Sequence, residues 1–248
     1  MIHRTAIIDS NALIGKNVNI GPYSIVGPNV QIGDDTEVHA HVNITGNTKI
    51  GKKNEIYPFC SIGTPPQDLK YKGEKNSLII GDNNKFREYV NINPGTEQGG
   101  SITKIGNNNL MMVYCHIAHD CKIDDNIVLA NNVQVGGHVS INKNAIVGGS
   151  CAIHQFSRIG EFAMIGGMTG VLSDVIPYGL SLGNRNILTG LNLIGLRRSG
   201  VSNQDIKTIQ SAYDIIFCDE TFRKNIENLG HELKENKYVN NIIKFIYS

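Results

Sequence analysis

The most regular feature of the sequence is an aliphatic residue at every sixth position. Glycine often follows it, as in Ile14-Gly15 and Ile50-Gly51. A period of six fits neither an α-helix nor a hairpin meander, but it is typical of a solenoid of short strands and tight turns. Three repeats would form one coil, so residues eighteen apart would stack about 4.8 Å apart along the axis. The first series comprises Ile2, Ile8, Ile14, Ile20, Val26, Ile32, Val38, Ile44, Ile50, Ile56 and Ile62.

The period predicts a mainly β fold, a left-handed parallel β-helix of hexapeptide repeats followed by a small C-terminal α-helical domain. The left hand is known for such repeats and does not follow from the period itself. Asp68 and Glu74 would occupy two inward positions after Ile62, and a charged side chain is costly to bury there. We therefore predict an excursion loop at about residues 64–77.

A second excursion loop is predicted at about residues 95–102, because the frame shifts there by one residue. Between the two loops the rungs are Ile80, Phe86 and Ile92. After the second loop the repeat continues without a break. Its rungs are Ile105, Met111, Ile117, Ile123, Leu129, Val135, Ile141, Val147, Ile153, Ile159, Ile165 and Val171.

The six-residue period ends at Pro177, and the later apolar residues recur with a helical period. We predict two domains, the β-helix at residues 1–177 and a helical domain at 178–248 that covers its last open rung. Ser202 and Asp205 match a capping box before the second helix. The predicted helices lie at about Ile187–Arg198, Asn203–Cys218, Thr221–Lys234 and Tyr238–Tyr247.

Composition narrows the function classes. A net charge of +1, 6% aromatic residues and the lack of Trp argue against nucleic-acid binding. Five cysteines form no CxxC pair, which is typical of reduced thiols in a cytosolic protein. No signal-peptide pattern and no apolar run of about 20 residues is present. We therefore expect a cytoplasmic protein without a membrane span.

Histidines gather in one part of the predicted solenoid. Eighteen-residue stacking places Gly137 on His119, and it places four histidines within about two coils, roughly 10 Å. A histidine beside a carboxylate such as Asp120 can be fixed in one tautomer and act as a general base. A glycine leaves its N–H open to approach a reaction centre as an oxyanion donor. The four histidines are His116, His119, His138 and His154.

Five motifs in this order and spacing resemble the UDP-N-acetylglucosamine acyltransferases, the family that begins lipid A synthesis. The resemblance covers almost the whole chain. Hexapeptides alone would be weak evidence, because many acyltransferases contain them. The motifs are Gln67-Asp68-Leu69-Lys70-Tyr71, His116-Ile117-Ala118-His119-Asp120, Gly136-Gly137-His138-Val139, Ala152-Ile153-His154-Gln155-Phe156 and Asn192-Leu193-Ile194-Gly195-Leu196-Arg197-Arg198.

This resemblance implies roles for individual residues. His119 would be the general base for the sugar 3-hydroxyl, Asp120 would orient it, and the Gly137 N–H would stabilise the oxyanion. Gly167 would lie at the position that sets acyl chain length. A glycine there leaves room for a longer 3-hydroxyacyl chain, whereas a bulky side chain would shorten it. The substrate-binding residues would be Gln67, Asp68, His116, His138, His154, Gln155, Asn192 and Arg198.

The resemblance also implies partners. The acyl donor would be carried on the phosphopantetheine of acyl carrier protein, with no other cofactor and no metal, and the family forms homotrimers. Ile194 departs from the family pattern, which usually has an acidic residue there for a nucleoside contact. Acyl carrier protein is acidic, so we expect a basic surface to bind it. The candidate residues are Arg197, Arg198, Lys207, Arg223 and Lys224.

Two alternative functions stay open at this point. Hexapeptide-repeat carbonic anhydrases of the γ class bind zinc through three histidines, and His116, His119 and His138 could imitate that set. An acyltransferase for a 3-amino UDP-sugar would use the same kind of site with a different acceptor atom. The later N-acyltransferase of the same pathway normally has a further domain before its repeats, whereas here the repeats begin at Ile2.

Overall fold

A computed structural model describes residues 1–219 and 221–248 of the chain. Within these residues, three sheets of nine, eight and ten strands form the sides of a prism, and all their strand pairs are parallel except the last pair of the ten-stranded sheet. Within the prism, each inner strand pairs with the strand one coil before it and the strand one coil after it. The predicted fold class, a left-handed parallel β-helix followed by a small helical region, is confirmed.

The strands are short because each side of a coil is short, and most contain two residues. Sheet 1 contains Ile7–Ile8, Ile25–Val26, Asn43–Ile44, Ser61–Ile62, Asn91–Ile92, His116–Ile117, Gln134–Val135, Ala152–Ile153 and Gly170–Val171. Sheet 2 contains Leu13–Ile14, Val30–Ile32, Thr48–Ile50, Ser77–Ile80, Ile102–Ile105, Lys122–Ile123, Ser140–Ile141 and Arg158–Ile159. Sheet 3 contains Asn19–Ile20, Glu37–Val38, Glu55–Ile56, Lys85–Phe86, Leu110–Met111, Val128–Leu129, Ile146–Val147, Met164–Ile165, Gly179–Leu182 and Ile187–Leu191.

The predicted rungs form the core of the prism. Ile117 pairs with Ile92 one coil before it and with Val135 one coil after it, and all three are buried. Every rung from Ile20 to Val171 is buried. Ile2 is 51% exposed because it lies at the open first coil, where no coil precedes it.

The corners of the prism need left-handed backbone, and residues other than glycine adopt it there. The first corner joins sheet 3 to sheet 1. At five coils it carries Tyr23, His41, Phe59, Tyr89 and Tyr114, each with φ between 58° and 66°. The second corner joins sheet 1 to sheet 2, and the site described below lies there. Left-handed backbone is costly for bulky residues, so the tight corners are held by the hydrogen bonds between coils.

Two segments leave the prism. The first lies between Ser61–Ile62 and Ser77–Ile80 and contains no strand, and Asp68 and Glu74 are both half-buried outside the core. The second lies between Asn91–Ile92 and Ile102–Ile105 and contains a short 3-10 helix, Glu97–Gly99. Both segments lie at or near the second corner.

The predicted helix from Ile187 was wrong at its start. Ile187–Leu191 is a strand antiparallel to Gly179–Leu182, and the helix α1 covers only Leu193–Arg198. Gly179–Leu182 itself adds to sheet 3, so the sheet continues past Pro177. Apolar residues on a short amphipathic strand can imitate a helical period over so few residues, and the hairpin partner decided the outcome.

The remaining helices begin close to the predicted positions. α2 covers Asn203–Ile216 and starts with the predicted capping box: the Ser202 hydroxyl accepts the Asp205 N–H at 3.0 Å. The single helix predicted over Thr221–Lys234 is two helices that end and begin around Gly230. The last three helices are α3 (Phe222–Glu227), α4 (His231–Glu235) and α5 (Lys237–Tyr247).

Buried apolar residues form two clusters, one from Val18 to Val175 inside the prism and one from Tyr178 to Ile246 among the helices. The division into two domains at residue 177 stays a prediction. The helices of the described residues are too short or too polar to cross a bilayer.

Candidate active site

The centre of the candidate site is the pair His119 and Asp120 at the second corner. His119 Nδ1 lies 2.8 Å from Asp120 Oδ2, and the Asp120 side chain is fully buried while 12% of His119 is exposed. A carboxylate accepts hydrogen bonds and cannot donate them, so Nδ1 carries the proton in this contact. The imidazole Nε2 is then free to accept a proton from a substrate.

Asp120 is held by several further hydrogen bonds. Its carboxylate accepts the Thr96 N–H at 2.9 and 3.1 Å and the Thr96 hydroxyl at 2.6 Å. The backbone N–H of Asp120 donates to the Thr103 hydroxyl at 2.8 Å. Its backbone is left-handed, with φ 62°. The position of the carboxylate is therefore fixed from both sides.

Gly137 lies directly beneath the His119 ring. A Cβ built on Gly137 would lie 2.7 Å from His119 Cε1, so any other residue would displace the imidazole. Among the hydrogen bonds of the described residues, the neighbouring Gly136 and His138 donate to Ile153 and His119, whereas none uses the Gly137 N–H. That N–H stays available to an oxyanion formed beside His119.

His138 completes the pocket around His119. Its ring meets the His119 ring edge-on at 5.1 Å and is stacked on Phe156 at 4.4 Å with 5° between the planes. Burial lowers the pKa of His138 below its ordinary value, partly offset by the charge of Asp120 and, more weakly, that of Asp68. His138 is therefore neutral near pH 7 and can donate or accept a hydrogen bond to a sugar hydroxyl.

His116 lies beside this group, on sheet 1. Its Nδ1 is 2.7 Å from the Asn91 side-chain oxygen, so Asn91 fixes the tautomer with Nε2 as the open nitrogen. Burial lowers the pKa of His116, and His119 adds to that effect. Gln67 lines the same shallow cavity of about 410 Å³ as Asn91 and His116, together with Tyr114.

The other substrate residues predicted on this side lie nearer solvent. His154 and Gln155 are exposed one coil after Gly136 and Gly137, and His154 Nδ1 lies 3.0 Å from the Gln155 carbonyl oxygen. Asp68 lines a second cavity together with Thr96, so the first loop meets the second loop beside Asp120.

Asn192 and Arg198 are not brought to the histidines within one chain. They line a separate cavity of about 960 Å³ over sheet 3, together with Val128 and Ile146. The Asn192 side chain caps helix α1, because it accepts the Gly195 N–H at 3.0 Å. Arg198 is exposed in the last turn of that helix.

Gly167 lies at the first corner, one residue before Met168, which continues the left-handed column that begins with Tyr23. It is exposed, and a Cβ added there would meet only backbone atoms of Gly149, the nearest at 3.3 Å. A larger side chain would therefore project from the corner without a severe clash. Met168 beside it is 80% exposed.

Among the described residues there are two groups of three possible metal ligands, and within each group the ligand atoms lie within 4.8 Å of one another. One is His119, Asp120 and His138, and the other contains Glu37, His39 and Glu55. The set that a γ-class carbonic anhydrase would need, with His116 as the third ligand, is not one of them. The Asp120 carboxylate is also already committed to Thr96 and His119.

Sequence reasoning missed Thr96, Thr103 and Asn91. Nothing in the six-residue period pairs Thr96 with Asp120, because the second loop breaks the frame. Asn91 could have been found from the coil register, since it pairs directly with His116 across the loop. Asn91 and His116 are 25 residues apart, because the second loop adds seven residues to the eighteen of one coil, so the pairing is found only once the loop is left out of the count.

Comparison with known proteins gives the class and then the family. Residues 2–46 match a profile described as bacterial transferase hexapeptide (six repeats), so this part of the chain is similar to the repeats of that class of transferases. Residues 174–248 match one described as UDP-N-acetylglucosamine O-acyltransferase, domain 2. A curated protein of Aliarcobacter butzleri named acyl-[acyl-carrier-protein]–UDP-N-acetylglucosamine O-acyltransferase is 49% identical, covering 99% of this chain and 94% of the relative.

Solved structures agree with this family. The UDP-N-acetylglucosamine O-acyltransferase of Moraxella catarrhalis is 46% identical with a TM-score of 0.96, covering 99% of this chain and 96% of that one. The enzyme of Bacteroides fragilis is 38% identical with a TM-score of 0.97, covering 100% and 97%. The chain belongs to the UDP-N-acetylglucosamine O-acyltransferase family and is an acyltransferase.

Proposed function

We propose that this chain transfers a 3-hydroxyacyl group from acyl carrier protein to the 3-hydroxyl of UDP-N-acetylglucosamine, the first step of lipid A synthesis. The name of the Aliarcobacter butzleri relative supports both substrates. The observation that carries the mechanism is the buried His119–Asp120 pair with an unused N–H at Gly137 beneath it.

The reaction would proceed in one transfer. His119 Nε2 accepts the proton of the sugar 3-hydroxyl while that oxygen attacks the thioester carbonyl carbon. The Gly137 N–H stabilises the resulting oxyanion, and Asp120 stabilises the imidazolium that forms. Collapse of the tetrahedral intermediate breaks the carbon–sulfur bond, and the proton held by His119 returns to the departing thiolate. No covalent enzyme intermediate is required.

The sugar nucleotide would lie along sheet 1 and the first loop. His116 and His138 are kept neutral by burial and can bind hydroxyl groups, and Asp68 and Gln67 would add further contacts. His154 and Gln155 would extend the cleft at its exposed end. Arg198 would bind the phosphates through its guanidinium, and Asn192 would position that helix.

A homotrimer would reconcile the two separated groups of residues, because Arg198 of one chain could then reach the histidines of another. The exposed aromatic column at the first corner supports such packing. Its rings stack 4.7–5.2 Å apart from Tyr23 to Tyr114, and its aromatic members Tyr23, Phe59, Tyr89 and Tyr114 are 44–60% exposed. Analytical ultracentrifugation should give three times 27.1 kDa; a monomer would contradict this proposal.

The acyl chain and its carrier have separate positions in this proposal. The chain would lie along the first corner near Gly167, where the glycine leaves room for a longer chain. Acyl carrier protein would bind the exposed cations of the helical region, which can pair with its acidic surface. These cations are Arg197, Arg198, Lys207, Arg223 and Lys224, all exposed.

The direct test of the mechanism is His119→Ala. We expect the rate to fall roughly 10²- to 10⁴-fold, the range typical of a lost general base, while the melting temperature and far-UV circular dichroism stay close to the wild type. His3→Ala removes an exposed histidine at the N-terminal end and serves as the control. Near-normal turnover by His119→Ala would refute the general-base assignment.

A further inference from the structure

We propose that Thr96, on the second loop, is a positioning residue that holds the Asp120 carboxylate in its orientation toward His119. The inference rests on the proposed function, because it assigns a purpose to the loop that interrupts the repeat beside the general base. It adds a residue that acts on the reaction through Asp120 without touching substrate.

Thr96 makes an unusually complete contact with one carboxylate. Its N–H and its hydroxyl both donate to Asp120, at 2.9 Å to Oδ1 and 2.6 Å to Oδ2. Oδ2 also accepts from His119 Nδ1 at 2.8 Å. Every one of these partners donates, which matches a carboxylate group that accepts hydrogen bonds through both oxygens. A buried carboxylate oxygen without such donors would be costly.

The Thr96 side chain does not serve its own helix. Thr96 stands at the N-cap of the 3-10 helix Glu97–Gly99, a position where a threonine hydroxyl usually accepts a backbone N–H. No such side-chain bond exists at this cap. The hydroxyl points instead to Asp120, which indicates that the contact with Asp120 determines its orientation.

The loop is shaped to lie close against Asp120. A Cβ added to Gly95 or Gly99 would overlap the Asp120 carboxyl group. Neither glycine has positive φ, so backbone conformation does not require glycine at these positions. At Gly99 the close approach to Asp120 requires it, whereas at Gly95 a Cβ would first meet the backbone of Ser101 and Ile102. The loop therefore covers the carboxylate, keeps water away from it and delivers the Thr96 donors.

The consequence for catalysis is a fixed tautomer. With Oδ2 held in place, His119 keeps its proton on Nδ1 and presents Nε2 to the substrate hydroxyl. Without the Thr96 hydroxyl, Oδ2 loses one of its two side-chain donors and the carboxylate can turn away from Nδ1. His119 would then spend part of its time in the tautomer that carries the proton on Nε2 and cannot act as a base.

The first experiment compares Thr96→Val with Thr96→Ser. Valine keeps the shape and the N–H but removes the hydroxyl, so we expect kcat to fall roughly 10- to 100-fold, the effect of one lost hydrogen bond to a charged group. KM for the sugar nucleotide should not change, because Thr96 does not touch the substrate. Thr96→Ser keeps the hydroxyl and should restore most of the rate.

A matched control separates this role from a structural one. Thr48→Val removes another buried threonine hydroxyl, which bonds the Thr45 carbonyl at 2.7 Å in an early coil. It should lower stability by a similar amount and leave kcat unchanged. Equal losses of kcat in Thr96→Val and Thr96→Ser, or a wild-type kcat in Thr96→Val, would overturn the proposal.

A second readout does not depend on turnover. Nitrogen-15 NMR of the imidazoles, with the His119 signals assigned by their loss in His119→Gln, reports the tautomer and titration of His119 directly. We expect a protonated Nδ1 in the wild type and a mixture of tautomers in Thr96→Val. Identical spectra would refute the role of Thr96 even if acyl transfer is real. If the spectra of the wild type and Thr96→Val differ but the wild type shows no acyl transfer, only the proposed function is refuted.

Discussion

Two corners of the same prism use one backbone conformation for different purposes. At the first corner, left-handed residues such as Tyr23, Phe59 and Tyr89 carry large side chains that stack on one another near solvent. At the second corner, Asp120 and His138 have the same left-handed backbone, with φ 62° and 61°. Yet Asp120 is buried and hydrogen-bonded, and His138 faces a histidine.

The difference lies in what covers each corner. Among the described residues, the rings of Tyr23, Phe59, Tyr89 and Tyr114 at the first corner are 44–60% exposed, so they are available for packing against another molecule. A loop covers the second corner and supplies Thr96 to Asp120. The repeat therefore provides a position and a direction for a side chain, while the interruption of the repeat provides its chemical environment.

The substitution expected to have the largest effect at the second corner is Asp120→Asn. An amide can donate its own N–H to His119 Nδ1 and so favour the tautomer with the proton on Nε2, which cannot act as a base. We expect the rate to fall roughly 10²- to 10⁴-fold, measured as kcat with saturating substrates.

Asp35→Asn is the matched control, because Asp35 is a left-handed aspartate that is exposed at the third corner, between sheets 2 and 3. It should leave the rate unchanged within about twofold, since an exposed side chain away from the loops affects stability little. A large loss in both variants would show that a corner aspartate matters without a loop to cover it, and would contradict the comparison.

A smaller effect is expected at the end of the first corner. Gly167→Met should shift preference toward shorter acyl chains by roughly 10-fold or more, because each methylene excluded from an apolar site changes selectivity by about 1–3 kcal/mol. Competition between acyl carrier proteins loaded with different chain lengths measures this shift.

Gly230→Met places the same side chain in open space in the helical region and serves as its control. An unchanged chain-length profile in Gly167→Met would remove Gly167 from chain selection and leave the first corner with a packing role only.

The fold followed from the sequence wherever the six-residue frame was intact. Aliphatic residues such as Ile117 must point inward if their neighbours eighteen residues away do the same, so the register could be read directly. At Ile187–Leu191 the same reasoning failed, because five residues fit a strand and a helix equally well. Only the pairing with Gly179–Leu182 distinguishes them.

The candidate site was predictable only in part, for the same reason. His119, Gly137 and His138 lie in the unbroken frame, so their stacking could be derived. Thr96 lies outside any frame, and its contact with Asp120 depends on the path of a loop. Residues on different faces, such as Arg198, could be assigned a role only through resemblance to the family.

The smallest predicted effect concerns His116 and acid. Burial lowers the pKa of His116 below its ordinary value of 6.5, so it stays neutral in the fold while the unfolded chain accepts a proton. The free energy of unfolding should therefore fall as pH drops below about 6.5, by at most about 1.4 kcal/mol per pH unit for this group.

Urea denaturation of the wild type and His116→Gln at pH 7.5 and pH 5.5 measures this contribution. The variant should lose less stability on acidification than the wild type, whereas His3→Gln, which removes an exposed histidine, should behave like the wild type. An equal acid sensitivity in wild type and His116→Gln would contradict the burial argument.

The most direct test of the central claim is mass spectrometry of the products made by the purified wild-type chain. The reaction would contain UDP-N-acetylglucosamine and a mixture of 3-hydroxyacyl carrier proteins, with bound metal assayed in the same sample. We predict one acyl group on the sugar nucleotide, joined as an ester that mild alkali removes. An amide formed only with a 3-amino UDP-sugar, or no acylated product together with stoichiometric zinc, would contradict the account.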